Sequence, residues 1–521
     1  MRFYLAKDDA PAVAEDTEDG EITSLYNVSA LMKVDCAFVK ICFAIAVTFL
    51  LQGTMPSSAD VPGYQRIVDL EANRTFSYEL VRDLDGADPS RATRAALALG
   101  RTKDLRAEPA LMARYHDRHA PAAVRALALY AIGLLTDRTA IDPAEIAAGL
   151  RDPAGAVRVA ATDAAGRLIA AKSPGAASLL SPLVRAMRLD ADPIVRGRSA
   201  VALAAFADAP QANAAGRAVL AAYEAERDPE ARRHDAWTLG RAFPKQPSAD
   251  QIERGLRDPD DTIRIEFLVV ASRNGDPGIA RAIDPLLHDP SWRVAEQAIE
   301  AIKRLAGEPR TPHLTAVPNG VITPPPVPDE TAAPLPRASG LGAARKPVAA
   351  DARLDLPLWP ATAALMNGPM PGLHPRVRIG TTKGPIVVRL YPEWAPLTVA
   401  NFLSLVDRGY YDNLRWFRIV PDFVAQTGDP QNTGDGDAGY MIPAEENPLD
   451  QGAGVISMGL NYEKDAAVRD SAGTQFYLTM SPQYHLDRAF TVFGRIESGF
   501  DVLGRLIESD TMTKVEQLPP D

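Results

Sequence analysis

The segment RWFRIVPDFVAQTGDP, residues 415–430, sets a permanently charged guanidinium, Arg418, among Trp416, Phe417, Ile419, Val420, Phe423 and Val424. Gln426 follows on the same stretch. A guanidinium keeps its proton in any ordinary environment, so it serves as a fixed cationic donor and not as an acid, base or nucleophile. Taken alone, Arg418 reads most simply as a surface arginine in a salt bridge. Other chemistries are poorly supplied. Cys36 and Cys42 are the only cysteines, which excludes disulfides and thiolate metal sites after residue 42. His234 and His288 each stand alone, a pattern more typical of structural histidines than of ligands.

The elements around Arg418 are short. RVRIGTT and GPIVVRLY alternate like two strands about a turn at Lys383-Gly384, and APLTVANFLSLVDRGYYD reads as a helix with Pro396 in its first turn. Further strands are expected near 415–420, 423–427, 454–458, 475–480 and 491–495, with a second helix over 499–507. Many short strands with two helices predict a closed antiparallel β-barrel capped by helices.

A different pattern precedes them. Asp-Pro or a variant recurs at Pro89, Pro121, Pro153, Pro193, Pro229, Pro259 and Pro290, each followed by an apolar stripe rich in alanine. Self-similarity at this period predicts a solenoid of helical repeats, in which Asp caps a helix and Pro fits its first turn. These units resemble HEAT-like repeats, whose helix pairs stack into a superhelix that serves as a binding scaffold. The arginines after the cap (Arg94, Arg125, Arg158, Arg196, Arg264) either line a concave binding face or pair with an Asp of the neighbouring unit, and pairing is the simpler reading.

At the N-terminus, Lys33 and Lys40 lead into an apolar run over 41–51, and Ser57-Ser58-Ala59 offers small residues for cleavage. This is the layout of a secretory signal peptide, and the run is short for a spanning helix of about 20 residues. Seven acids and two basic residues occupy 1–31, so translation is expected to start at Met32. The alternatives are a buried core helix or a retained anchor to the inner membrane through 36–51. No cysteine follows the run, which argues against a lipoprotein. The expected organisation is therefore multidomain: an N-terminal extension and signal-like segment over 1–59, a repeat domain over 60–306, a linker rich in proline and alanine over 307–373, and a C-terminal domain over 374–521. The net charge of −11 over 521 residues argues against nucleic acid as a partner.

FRIVPDFVAQTGDP, SAGTQFYLT and HLDRAFTVFGRI stand in the order and spacing of the signature segments of cyclophilins, and residues 376–515 resemble one complete cyclophilin domain. The resemblance implies an eight-stranded barrel with a helix at each end, and peptidyl-prolyl cis/trans isomerisation without cofactor or metal. It assigns catalysis to Arg418, which donates to the twisting prolyl nitrogen. It places Phe423, Phe476 and Leu486 on the floor of the proline pocket, Val424 on its wall, and Gln426 where it orients Arg418. Gly459, Leu460, Gln475, His485 and Phe490 fall at other substrate-binding positions. Several of these depart from the family's usual residues: Val424 for methionine, His485 for tryptophan, Phe417 and Phe490 for histidine, Gly459 and Leu460 for alanine and asparagine. The expected function is an exported isomerase that helps bacterial periplasmic or envelope proteins fold, with proline-containing clients and a protein partner on the repeat array. The alternative is a catalytically weak cyclophilin-like scaffold that binds proline segments. The only membrane contact expected is through an uncleaved N-terminal segment.

Overall fold

The computed structural model describes residues 61–136, 141–306, 374–420, 422–434, 436, 438–463 and 466–519. The signal-like segment and the proline-rich linker lie outside them. The described residues form one compact unit.

The N-terminal region is helical. Seven helices follow the Asp-Pro sites or their variants: α3 (Pro89–Thr102), α5 (Ala122–Leu134), α7 (Gly155–Ala170), α9 (Pro193–Leu203), α11 (Pro229–Ala242), α13 (Asp261–Asn274) and α15 (Trp292–Leu305). Each packs on the next, so they make a continuous layer. A second set packs against this layer: α4 (Glu108–His116), α6 (Pro143–Gly149), α8 (Leu180–Leu189), α10 (Ala212–Ala225), α12 (Ala249–Leu256) and the single-turn α14 (Ala280–Ile283). Two more helices, α1 (Val61–Ala72) and α2 (Tyr78–Leu84), start the array. The abundant alanine and glycine have a packing cause. A Cβ on Gly100 would lie 2.8 Å from Ala131 Cα, and one on Gly133 would lie 3.2 Å from Ala164 Cα. Successive helices approach almost backbone to backbone there, and a larger side chain would force them apart.

Asp88, Asp192 and Asp228 cap α3, α9 and α11 with proline as the first helical residue, as the pattern predicts. Pro121, Pro153, Pro259 and Pro290 instead precede their helices by one or two residues. At Pro153, Pro259 and Pro290 the motif aspartate closes a turn, with Asp152, Asp258 and Asp289 accepting from the N–H two residues on, as from Ala154 at 2.9 Å, whereas Ala120 precedes Pro121. Four of the five post-cap arginines pair forward: Arg125 with Asp152 (2.7 Å), Arg158 with Asp190 (2.7 Å), Arg196 with Glu226 (2.7 Å) and Arg264 with Asp289 (2.9 Å). The repeated arginine thus ties each unit to the next. Arg94 is the exception, pairing back to Glu71 of α1.

The C-terminal region is an eight-stranded antiparallel sheet with β6 and β7 as a separate ribbon. Its strands are β1 (Arg376–Thr381), β2 (Gly384–Leu390), β3 (Arg418–Val420), β4 (Val424–Thr427), β5 (Val455–Met458), β8 (Phe476–Thr479), β9 (Val492–Ser498) and β10 (Met512–Gln517). The ribbon is β6 (Tyr462–Glu463) paired with β7 (Ala466–Ala467). Strand order is β10-β1-β2-β9-β5-β8-β4-β3. This is an open order and not the fully laddered ring expected. The edge strands are joined outside the ladder by a bridge between Arg415 and Thr511 and by the Trp416 N–H donating to Asp510 O at 3.0 Å. The sheet curls around Phe402 of α16 (Pro396–Asp407), with Trp416, Phe476 and Phe493. The second expected helix shrinks to α17 (Phe500–Leu503), because Gly499 enters in the left-handed region (φ 87°) and Gly504 ends it.

The array's layer of Asp-Pro helices lies against the sheet domain. Arg101, fully buried, donates to Trp394 O (2.9 Å) and Glu446 O (2.7 Å) and pairs with Glu71. Glu445 accepts from the Leu397 and Thr398 N–H groups at the start of α16 and lies 4.0 Å from Arg94. Farther along, Arg198 of α9 reaches Asp163 of α7 and both Asp450 and Asp487 of the sheet domain. Arg488 returns the contact to Asp163 at 3.0 Å. His234 stacks on Tyr484 with centroids 4.2 Å apart, so this lone histidine is a packing residue between the two regions.

Candidate active site

Sheet register builds the site. Arg418 on β3 pairs with Gln426 on β4, which pairs with Tyr477 on β8, which pairs with Ser457 on β5. Residues directly opposite across antiparallel strands share a face, so these four form one row. Arg418 is exposed, donates to Gln426 Oε1 at 3.2 Å and places its Cζ 5.4 Å from the Phe423 ring centroid. Gln426 donates to Gln475 Oε1 at 3.0 Å, and Gln475 donates to Gly434 O and Gly436 O at 2.8 and 3.0 Å. This relay holds the guanidinium in place beside the Phe423 ring.

Beside the row lies an apolar cluster of Val424, Tyr477, Leu486 and Phe490, with Phe423 and Leu460 partly buried against it. The Tyr477 and Phe490 rings meet edge-on at 5.9 Å, and His485 stacks over Phe423 at 5.7 Å. The His485 imidazole is held neutral, its pKa pushed down to about 4 by desolvation and by the nearby Arg241 and Arg273.

The sequence-expected residues thus assemble, with one correction. Phe476 points into the sheet interior, edge-on to Phe402 and Tyr411, and is fully buried there. It belongs to the fold and not to the pocket. The residue on the cleft side is Tyr477, one position later. Strand alternation carries the signal: Gln475 faces the cleft through its contact with Gln426, so 477 must share its side and 476 must not. Gly459 donates its N–H to Gln475 O at 2.8 Å and borders the relay, while the Leu460 side chain packs against the apolar cluster. Tyr462, on the ribbon that follows, is exposed and lies 6.5 Å from Phe490; the resemblance drew no attention to it.

Array residues also reach the site. Trp237 of α11 stacks near-parallel to His485 at 6.3 Å. Asp422, in the left-handed region (φ 53°) at the turn between β3 and β4, faces Arg293 of α15 at 3.6 Å. Its carbonyl accepts from Ser481 Oγ (2.6 Å) and Gln483 Nε2 (2.9 Å). The hairpin that carries Arg418, Phe423 and Gln426 is therefore held from both regions.

Behind this turn are two buried carboxyls of the array. Burial pushes Glu266 up to about 7, with Arg241 opposing and Asp422 adding to the rise. Burial, Asp422 and Glu300 push Glu296 up to about 8. A carboxyl whose pKa is raised on folding binds its proton more tightly in the folded state. Its contribution to stability therefore falls as pH rises from the unfolded value to the folded one, and is flat above that. Between pH 5 and 8 the Glu296→Gln variant is expected to gain stability relative to the unaltered chain. Urea midpoints of both proteins at each pH check this, and a constant difference between them would contradict the assignment.

A curled antiparallel sheet with this row of residues beside an apolar recess defines a cyclophilin-like domain. Comparison with known proteins agrees. Residues 376–520 match the family described as cyclophilin type peptidyl-prolyl cis-trans isomerase. Peptidyl-prolyl cis-trans isomerase B of Bacillus subtilis is 42% identical over 132 residues, covering 25% of this chain and 88% of that protein. Peptidyl-prolyl cis-trans isomerase CYP18-2 of Arabidopsis thaliana is 39% identical over 140 residues, covering 26% and 82%. A solved cyclophilin type isomerase of Cryptosporidium parvum is 26% identical, with a TM-score of 0.26, covering 28% of this chain and 98% of that one. Through its C-terminal region the chain belongs to the cyclophilin-type peptidyl-prolyl cis-trans isomerase family.

Proposed function

We propose that the C-terminal domain, residues 374–521, accelerates cis/trans exchange of Xaa-Pro bonds in polypeptides, with Arg418 as its catalytic residue. Amide resonance sets a barrier of about 18–20 kcal/mol to this rotation. In the twisted transition state resonance is lost and the prolyl nitrogen regains a lone pair. A fixed cationic donor beside an apolar wall favours that state over either planar isomer. The observation that carries the reading is the row Arg418–Gln426–Tyr477, set next to the recess of Val424, Leu486 and Phe490 that would take the proline ring. No bond breaks and no proton moves, so the neutral His485 is no obstacle.

In this reading the helical region is a HEAT-like solenoid, and the bridge at Arg415–Thr511 completes a barrel. Contact with the sheet domain leaves other array surfaces for a partner. The signal-like segment after Met32 supports export to the periplasm or envelope, where proline-containing clients would be folding. A second reading, a proline-segment binder with weak turnover, draws support from Leu460, whose side chain packs against the recess. Relaxation of an Ala-Ala-Pro-Phe-type peptide in the presence of the full chain separates the two. Catalysed exchange supports the isomerase. Saturable binding without acceleration supports the binder.

A further inference from the structure

Two segments that carry recess residues are each met by a helix of the array. Arg293 of α15 faces the Asp422 carboxylate at 3.6 Å, at the turn that leads into Phe423. Helix α11 meets the turn over Tyr484–Leu486, whose last residue belongs to the apolar cluster. Trp237 of α11 packs on two successive residues there. Its ring is edge-on to Tyr484 at 5.3 Å and near-parallel to His485 at 6.3 Å, with 11° between the planes. His485 in turn lies 5.7 Å from Phe423 and 19° from parallel, and the Arg418 Cζ sits 5.4 Å from the Phe423 centroid. Trp237, His485, Phe423 and Arg418 therefore form one continuous stack, from the array to the catalytic guanidinium. These separations lie in the range over which offset rings, and a cation over a ring, attract. Trp237 is buried, and its indole N–H meets no acceptor among the described residues, so packing and not a hydrogen bond seats it.

Resting on the isomerase reading, we propose that Trp237 is a positioning residue for prolyl exchange: acting through His485, it fixes the Phe423 ring and with it the place of the Arg418 guanidinium. The reaction asks for such bracing. A donor that acts on the twisted state must already stand where the prolyl nitrogen will be, and a displacement of about 1 Å forfeits much of the gain. Phe423 follows a left-handed residue at a tight turn and is only partly buried, so its neighbours in the sheet domain enclose it incompletely. His485 braces it, and Trp237 backs His485. The array then takes part in catalysis by setting the active-site wall, in addition to any partner it binds elsewhere.

The test measures kcat and KM for prolyl exchange by the full chain, with a urea midpoint for every variant. Trp237→Leu keeps an apolar side chain at the buried position and removes the ring. It is expected to lower kcat about tenfold with KM within about twofold, the pattern of an interaction that counts in the transition state. Trp237→Phe, which restores a ring, should return most of the rate. Glu230→Ala removes the contact of the same helix with the Tyr484 hydroxyl, at 3.2 Å, and should leave kcat where it is. His485→Ala guards against a folding defect at position 237, because His485 keeps exposed surface outside the core. It should lower kcat by a similar factor, and Trp237→Leu should then add little, as expected of two residues acting in series. A folded Trp237→Leu protein with unaltered kcat overturns the positioning role and leaves the isomerase reading intact. So does an unaltered kcat in His485→Ala, or an equal loss in Glu230→Ala, which would assign the effect to docking as a whole. No acceleration by the unaltered chain overturns both.

Discussion

Arg418→Ala is expected to lower catalysed prolyl exchange by about a hundredfold, the scale seen when a donor aimed at a transition state is removed. The change should appear in kcat/KM and leave the fold untouched. Arg418 is exposed and donates to the neutral amide of Gln426 at 3.2 Å, so its removal opens no cavity in the core. Arg418→Lys should recover little, because an ammonium cannot keep the planar contact over Phe423 and donate to Gln426 at once. The measurement is relaxation of a chromogenic prolyl peptide with the full chain and each variant, after matching circular dichroism. An alanine variant within about threefold of the unaltered protein would remove Arg418 from the catalytic role.

The largest effect on stability is expected at Arg198. This side chain is nearly sealed from solvent, and the carboxylates of Asp163, Asp450 and Asp487 converge on it. Burial works against its charge, but the three carboxylates together raise its pKa. Arg198→Ala would leave those three acids with Arg488 as the guanidinium they still share. Breaking a buried pair by removing one partner costs about 3–5 kcal/mol, because the remaining charge stays desolvated. Urea unfolding should show the midpoint fall accordingly. Arg106→Ala, which removes an exposed pair with Asp104, supplies the contrast and should leave the midpoint nearly unchanged. Equal costs at the two sites would mean that the interface charges are better solvated than their burial implies.

What the sequence disclosed and what it hid divide along the range of the interactions. The caps at Asp88, Asp192 and Asp228, the recurrence of the Asp-Pro sites and the strands around Arg418 follow from neighbours a few residues apart, and they were legible. The helix starts after Pro121, Pro153, Pro259 and Pro290 were not. Forward pairing of Arg125, Arg158, Arg196 and Arg264 was legible too, because the partner recurs one unit later. Phe476 was misplaced by one residue. In a run as apolar as Phe476 to Met480 both faces look alike, and only the contacts of Gln475 decide which is inside. The ring that did not fully ladder depended on residues 413–416, which hydrogen bond to 510–512 without forming a strand. The approach of Trp237 to His485, and of Arg293 to Asp422, left no sequence signal, since each joins positions in two regions with unrelated periodicities.

The contacts of Arg74, Arg101 and Arg198 with the sheet domain also impose an order on biosynthesis. Domains emerge from the ribosome N-terminal first, so the segments holding these residues are made well before the acceptors they meet. Arg74 waits for Asp470, and Arg198 waits for Asp487, across separations of 396 and 289 residues. Until the last strands are synthesised, a nascent array would carry cations whose native counter-charges do not yet exist, on a face that is dry in the finished molecule. The growing chain would therefore pass through an interval in which that face is hydrated and open to other acidic polypeptides, and it is closed by the protein's own sheet domain only once that domain has been made.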